Sequence, residues 1–265
     1  KFYLKNTETI ERLAILDTAI FDKTGTLTTG QKQVAKYEGT ALTDDEEILL
    51  KNTLRSSNHP LSRTLYDMLK PQDIIPLKEY KEHLGKGISG ITATGSIKIG
   101  AADFVGGASV SGSTEVHISI NDNYKGKYVF YNQYRNGVDT LFNDMQNTME
   151  LAVLSGDNSS EEERLQKLLP TDTPLYFNQK PEDKLLFIKN EQEKDKKVMM
   201  VGDGLNDAGA LVQSNVGIAI SENVNVFSPA CDAILDATKF NQLFKYIKVS
   251  KGAVKIIKWS FVLSF

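Results

Sequence analysis

Residues 19–30 read AIFDKTGTLTTG. Three apolar residues, Ala19–Phe21, end on a carboxylate at Asp22, and small hydroxyl and glycine residues follow, with Lys23 beside the acid. A carboxylate can attack a phosphoryl group and carry it as an aspartyl phosphate. That attack requires the repulsion between carboxylate and phosphate to be cancelled. A lysine and a Mg²⁺ ion are the usual means, and positioning with electrostatics carries nearly all of the catalysis. Mg²⁺ takes an octahedron of oxygens and keeps several waters, so one or two carboxylates suffice. The chain offers a candidate for each part. Asp22 is the nucleophile, and Asp203, in VGDGLND, is a Mg²⁺ ligand from a neighbouring strand end. Lys184, in PEDK, can reach a phosphate oxygen. Ser155 and the backbone N–H of Gly156, in LSGDN, can cradle another. Each piece alone has a plainer meaning: a lone Asp at a strand end is an N-cap, GDGLND a glycine turn, SGD a helix cap. What joins them is their order, each at a predicted strand end or helix start.

Those ends belong to a recognisable pattern. Unbroken apolar runs stop at polar groups: AIF before Asp22, Leu151–Leu154 before SGD, and Val198–Val201 before GDG. Val216–Ile220 and Asp232–Leu235 are two more short strand candidates. Unbroken rather than alternating runs suit strands buried on both faces of a parallel sheet. Helical stretches lie between them, at Glu161–Leu169 and at Pro181–Lys194. The second has Pro at its start and Leu185, Leu186 and Ile188 on one side. The alternation predicts an α/β fold with a doubly wound parallel sheet, in which ligands bind beyond the carboxyl ends of the strands. Asp22, Ser155, Asp157 and Asp203 all fall there.

The middle of the chain reads differently. One or two helices come first, with Leu61, Leu65, Met68 and Leu69 on one stripe. Glycine-rich, alternating segments follow, and EVHISIN and KYVFYN read as strands around a turn at Asp122–Gly126. This predicts a smaller α+β domain inserted into the parallel-sheet domain. The expected boundaries are 1–33 and 134–252 for the sheet domain and 34–133 for the insert. Residues 253–265 form a juxtamembrane segment leading to a truncated membrane helix. That last segment starts basic and turns apolar at Trp259. Its final seven residues are too few to span a bilayer, which takes about 20. The alternative is a core helix or a docked tail.

Taken together the motifs resemble those of P-type ATPases, on the haloacid-dehalogenase fold. DKTGTLT (Asp22–Thr28) and GDGLND (Gly202–Asp207) look like that family's signatures, and PEDK and LSGDN match two more. His59–Pro60 with GKGISG (Gly85–Gly90) resembles the nucleotide-binding domain of the heavy-metal class, the copper and zinc pumps. The resemblance covers the whole chain. It implies that ATP phosphorylates Asp22, that the Thr24 carbonyl and Asp203 bind Mg²⁺, and that Asn206 and Asp207 orient the site. Ser155 stands where the family usually has Thr, and either hydroxyl can donate to phosphate. It also implies a cytoplasmic location at a cell membrane. The actuator domain and membrane helices of the same pump would be partners, and a heavy-metal ion, copper first and zinc or cadmium next, would be the cargo. Three positions depart from the family pattern: Asn58 for Glu before the His–Pro pair, Asn132 for Asp three residues before Arg135, and Gly209 for Pro.

Within the insert, glycines at 85 and 87 would let a ligand approach the backbone. His59 would stack on or hydrogen-bond adenine while also capping the helix that starts at Pro60. GKGISG fits GxGxxG, but no strand–helix–strand unit surrounds it, which argues against a dinucleotide fold. Thr24 separates the pump reading from a freestanding phosphatase of the same fold. Such phosphatases usually have a second Asp two residues after the nucleophile, acting as general acid and base. Threonine cannot take that proton near neutral pH, so the aspartyl phosphate should persist. A third reading, a nucleotide-sensing module without turnover, gains from Asn58 and Asn132 and is opposed by the intact motif at Asp22.

The totals fit. A chain of 265 residues, 40% hydrophobic and 25% charged, can bury one large core or two modest ones. Its net charge of −3, without a basic run, argues against a nucleic-acid partner. The single cysteine, Cys231, cannot form an internal disulfide and fits a reducing compartment. The three histidines have no metal-ligand spacing. The chain opens at Lys1 without a signal peptide.

Overall fold

The computed structural model describes residues 1–108, 113–204, 206–222 and 230–264. Leu205 of the GDGLND stretch and Phe265 of the tail lie outside them. The chain forms two compact units, one of residues 1–32 and 133–265, the other of residues 33–132.

In chain order, β1 (Phe2–Leu4), α1 (Glu8–Ala14) and β2 (Thr18–Asp22) open the first unit, and β3 (Thr28–Gly39) leads out of it. The second unit continues with α2 (Asp44–Arg55), α3 (Pro60–Met68), β4 (Glu79–His83), β5 (Gly87–Ile91), β6 (Ser96–Gly100), α4 (Ala102–Val105), β7 (Thr114–Ile120) and β8 (Asn123–Tyr134). The chain then returns through α5 (Val138–Met145), β9 (Glu150–Leu154), α6 (Glu162–Leu168), β10 (Leu175–Tyr176), α7 (Pro181–Glu193), β11 (Val198–Gly202), α8 (Ala208–Gln213), β12 (Val216–Ser221), β13 (Ala233–Asp236) and α9 (Leu243–Ser264).

The first unit is a seven-stranded sheet in the order β1-β13-β12-β11-β2-β9-β10. Every neighbouring pair is parallel except β1 with β13. Its central strands are buried on both faces, as their unbroken apolar runs require. Ala19, Phe21, Met199 and Val201 face a core completed by Leu13, Phe142 and Ile247. Ile20, Val198 and Met200 face the opposite one with Ile188 and Leu211. The chain moves from β2 to β9 and β10 on one side, then crosses back to β11 on the other. The sheet's switch point therefore lies between β2 and β11, and the crevice beyond their carboxyl ends is where such sheets bind ligands.

One detail in this unit differs from the sequence reading. In α7, Leu186 is exposed, and the buried positions are Lys184 and Ile188, one helical turn apart. A lysine on the buried stripe moves the inward face off the aliphatic residues. In α9 the buried residues are Leu243, Phe244, Ile247 and Ser250, while Ile256, Trp259 and Phe261 are exposed. Among the described residues, no helix is long and apolar enough to cross a membrane.

The second unit is a six-stranded sheet, β3-β8-β7-β6-β5-β4, antiparallel from β8 through β4. Leu49, Leu50 and Leu54 of α2 and Leu65 of α3 pack with Ile88, Ile97, Ile99 and Ile118. Helix α2 starts in a capping box, Thr43 with Glu46. Met68 is exposed rather than on the buried stripe of α3, where Ser62 is buried instead. The β7–β8 turn is also one step earlier than expected. Asn121 and Asp122 take φ of 52° and 60°, the two-residue turn whose twist matches a hairpin. An irregularity at Ile118/Ser119 absorbs the register in the DNYKG stretch.

Candidate active site

β2 delivers Asp22 to the carboxyl end of the sheet, 3% exposed. The chain then turns sharply through Lys23–Leu27, with Gly25 at φ 77°. A Cβ at Gly25 would be strained by that φ and would stand 3.4 Å from the Asp203 Cβ, so the loop needs glycine there.

Helix α7 brings the ammonium. Pro181 fixes its first turn, and the Asp183 carboxylate accepts the Lys180 N–H at 2.9 Å. The next residue, Lys184, points inward and is buried. Its Nζ donates to Asp22 Oδ1 at 2.6 Å and to Asp207 Oδ1 at 2.7 Å. Burial alone would lower the Lys184 pKa, but the two carboxylates outweigh it and leave it raised. Asp22 is pushed up from 3.8 to about 7, first by burial and then by the charge of Asp207; Lys184 opposes the rise and Asp203 adds to it. One ammonium among three carboxylates leaves negative charge over.

Asp203 follows β11, and Asn206 fixes its carboxylate. The Asn206 N–H donates to Oδ1 at 3.1 Å and its amide Nδ2 to Oδ2 at 2.9 Å. Ser155, after β9, is fully buried; its Oγ accepts the Asp157 N–H at 3.1 Å. Gly156 beside it is exposed. Thr24 donates its hydroxyl to Asp157 Oδ2 at 2.8 Å.

The structure thus brings Asp22, Thr24, Lys184, Asp203, Asn206, Ser155 and Gly156 to one end of the first unit. His59, Gly85 and Gly87 lie in the second. His59 is an exposed N-cap whose Nδ1 accepts the Leu61 N–H at 3.3 Å. Gly85, at φ 70°, has open space around it. Gly87 does not: a Cβ there would stand 2.2 Å from the Ile99 carbonyl oxygen and 2.7 Å from the Gly100 Cα. Its missing side chain lets β5 pair closely with β6.

The sequence reading gave no role to Lys23, Glu161 or Arg135, and placed Asp157 only at a strand end. Lys23 is 1% exposed and pairs with Asp157 at 2.7 Å and Glu161 at 3.1 Å. A lysine next to a buried strand demands acid partners, and that was the available signal. Burial opposes the charge on Asp157, but Lys23 and Thr24 hold its pKa below the ordinary value. Arg135, also buried, carries no such local signal, since its partners lie over 80 residues away in sequence.

Among the described residues, no group of three His, Cys, Asp or Glu is placed to hold a metal ion. An ion that keeps its waters and takes one or two carboxylates is a different case, and the donors here are hard oxygens with charge to spare.

The family model for haloacid dehalogenase-like hydrolases matches residues 16–215. A copper-exporting P-type ATPase of Staphylococcus saprophyticus is 29% identical over 279 residues, covering 98% of this chain and 34% of that protein. The chain thus spans about a third of the length of the curated relatives it matches. A zinc-transporting PIB-type ATPase in its E2.Pi state shares the fold, with a TM-score of 0.83 at 23% identity over 97% of this chain and 45% of that one. The catalytic domain of a CPx-ATPase, solved for its conformational changes upon nucleotide binding, has a TM-score of 0.63 at 26% identity, covering 93% of this chain and 95% of that one. With the family's model spanning most of its length and a buried aspartate at the switch point of its parallel sheet, this chain belongs to the haloacid dehalogenase-like hydrolases.

Proposed function

We propose that this chain is the ATP-dependent phosphorylation unit of a heavy-metal P-type ATPase, with Asp22 as the residue phosphorylated. The observation that carries the reading is the buried Lys184, whose Nζ lies 2.6 Å from the Asp22 carboxylate at the end of the central strand. The similarity of nearly the whole chain to copper-exporting pumps supports it.

In this reading Asp22 attacks the γ-phosphorus of ATP, the bond to the β–γ bridging oxygen breaks, and ADP leaves. Lys184 neutralises charge as the carboxylate and the phosphoryl group approach. The Ser155 hydroxyl and the Gly156 N–H donate to the transferred oxygens. Asp22, Asp203 and the Thr24 carbonyl would hold Mg²⁺, which when bound offsets phosphate charge. Asn206 keeps the Asp203 carboxylate oriented. His59 and Gly85 would serve the adenine end of ATP. The rest of the pump, its membrane helices and actuator domain, would couple this step to export of a copper or zinc ion, with this unit on the cytoplasmic face of the membrane.

The fold family also contains phosphatases, and Thr24 argues against that reading. Its hydroxyl is engaged by Asp157 and offers no general acid, so the phosphoenzyme should outlast turnover of small esters. The test is incubation with γ-labelled ATP and Mg²⁺ followed by an acid quench. The chain should retain label that hydroxylamine removes and that Asp22→Asn abolishes. Rapid release of phosphate from small phosphate esters with no retained label would make it a phosphatase and overturn the proposal.

A further inference from the structure

We infer that Arg135 is a positioning residue for phosphoryl transfer, locking the loop that carries the nucleophile; the inference rests on the phosphorylation reading. Arg135 is 8% exposed and its side chain makes three bonds. Nε donates to the Thr26 carbonyl at 2.7 Å, Nη2 to the Gly25 carbonyl at 2.8 Å, and Nη1 to Glu222 Oε1 at 2.7 Å. Its backbone N–H adds a fourth, to the Leu27 carbonyl at 2.8 Å. Three successive carbonyls of the loop after Asp22 are therefore held by one residue.

The geometry suits only a guanidinium. Nε and Nη2 lie in one rigid plane and can grip two adjacent carbonyls together, whereas a lysine has a single nitrogen. The carbonyls of Gly25 and Thr26 both face the Arg135 guanidinium, in a loop where Gly25 takes a left-handed φ of 77°. Glu222 balances the charge of Arg135, and its other side-chain bonds go to neutral oxygens. Arg135 makes no bond to the Asp22 carboxylate, so it acts through the backbone by fixing where that carboxylate points. Gly25 is three residues from Asp22. A shift of about 1 Å in a reacting group can cost about 100-fold in rate.

The test compares the chain with its Arg135→Lys and Arg135→Ala variants by two readouts. The first is amide hydrogen exchange without nucleotide. Gly25, whose N–H is bonded to Thr28 Oγ1 at 3.1 Å, should exchange about tenfold faster in both variants, while β2 and β11 keep their protection. The second is phosphoenzyme formation from γ-labelled ATP. The rate at saturating ATP should fall about 100-fold, with the KM for ATP within about twofold. Millimolar guanidinium should restore much of the rate in Arg135→Ala, and lysine at 135 should not. Unchanged exchange at Gly25, or labelling at the parent rate, would overturn the inference. So would a uniform rise in exchange across the sheet, which assigns Arg135 a purely structural role. If the parent chain itself keeps no label, the phosphorylation reading fails and the catalytic part of the inference with it, while the exchange result still decides whether Arg135 locks the loop.

Discussion

The two units bury different things. The first takes Asp22, Lys23, Arg135, Lys184 and Asp207 out of water, all gathered toward the carboxyl end of its parallel sheet. The second keeps mostly uncharged polar groups inside: Asn52, Thr53, Ser57, Ser62, Thr92 and Ser119. Among its described residues, the Glu115 carboxylate is buried, in contact with Lys127 and the imidazole of His117. Desolvating a charge is expensive, and replacing a buried ion pair by apolar residues often stabilises a protein. A unit that keeps five such groups is bearing a stability cost for chemistry. The second unit holds its sheet by apolar packing and close strand contact.

The comparison breaks first at Lys184. Lys184→Met leaves Asp22 and Asp207 buried without their shared ammonium and should destabilise the first unit by about 3–5 kcal/mol, read from urea melts at neutral pH. A loss below about 1 kcal/mol would mean the carboxylates are solvated and the charge argument is wrong. Asp22→Asn should act in the opposite direction. Without divalent cation, the folded-state pKa of Asp22 is about 7 against an ordinary 3.8, with burial as the first cause. A carboxyl raised on folding contributes stability below its unfolded pKa, and that contribution is lost as pH rises through the folded one. The parent should therefore lose stability between about pH 4 and pH 7, and Asp22→Asn should remove that part of the slope. Identical pH profiles for the two proteins would refute the strained-carboxylate picture.

The sequence made the first unit legible because its chemistry lies at element ends. An apolar run stopping at Asp22, Pro181 opening a helix, and a glycine turn at Asp203 each say where a side chain emerges. The long-range bonds were not legible. Nothing near Arg135 announces that it grips Gly25 and Thr26, because that pairing is made by the fold. Period errors account for the misplaced helix faces: Leu186 and Met68 are apolar, yet Lys184 and Ser62 take the buried positions. In the second unit, Gly87 shows the limit of composition. A glycine beside a turn suits ligand approach and close strand pairing equally, and the pairing with Gly100 became visible only in the fold.

That pairing supplies the next test. Gly87→Ala drives a methyl into the Ile99 carbonyl at a φ of 150° and should cost the second unit about 1–3 kcal/mol. Exchange measured over residues 33–132 should rise while β2 and β11 stay protected. Equal loosening of both units would show that they do not hold their stability separately.

The smallest effect concerns His59, where structure and recognition overlap. As an exposed N-cap it should be worth about 1 kcal/mol when replaced by Ala. Serine caps as well, so His59→Ser should melt within a few tenths of a kcal/mol of the parent. If the ring also serves adenine, both variants should weaken ATP binding by about tenfold, or about 1.4 kcal/mol, measured by calorimetry. Serine restoring stability without restoring affinity separates the two roles of His59 and gives the second unit its nucleotide contact. Serine restoring both would leave His59 as a cap alone.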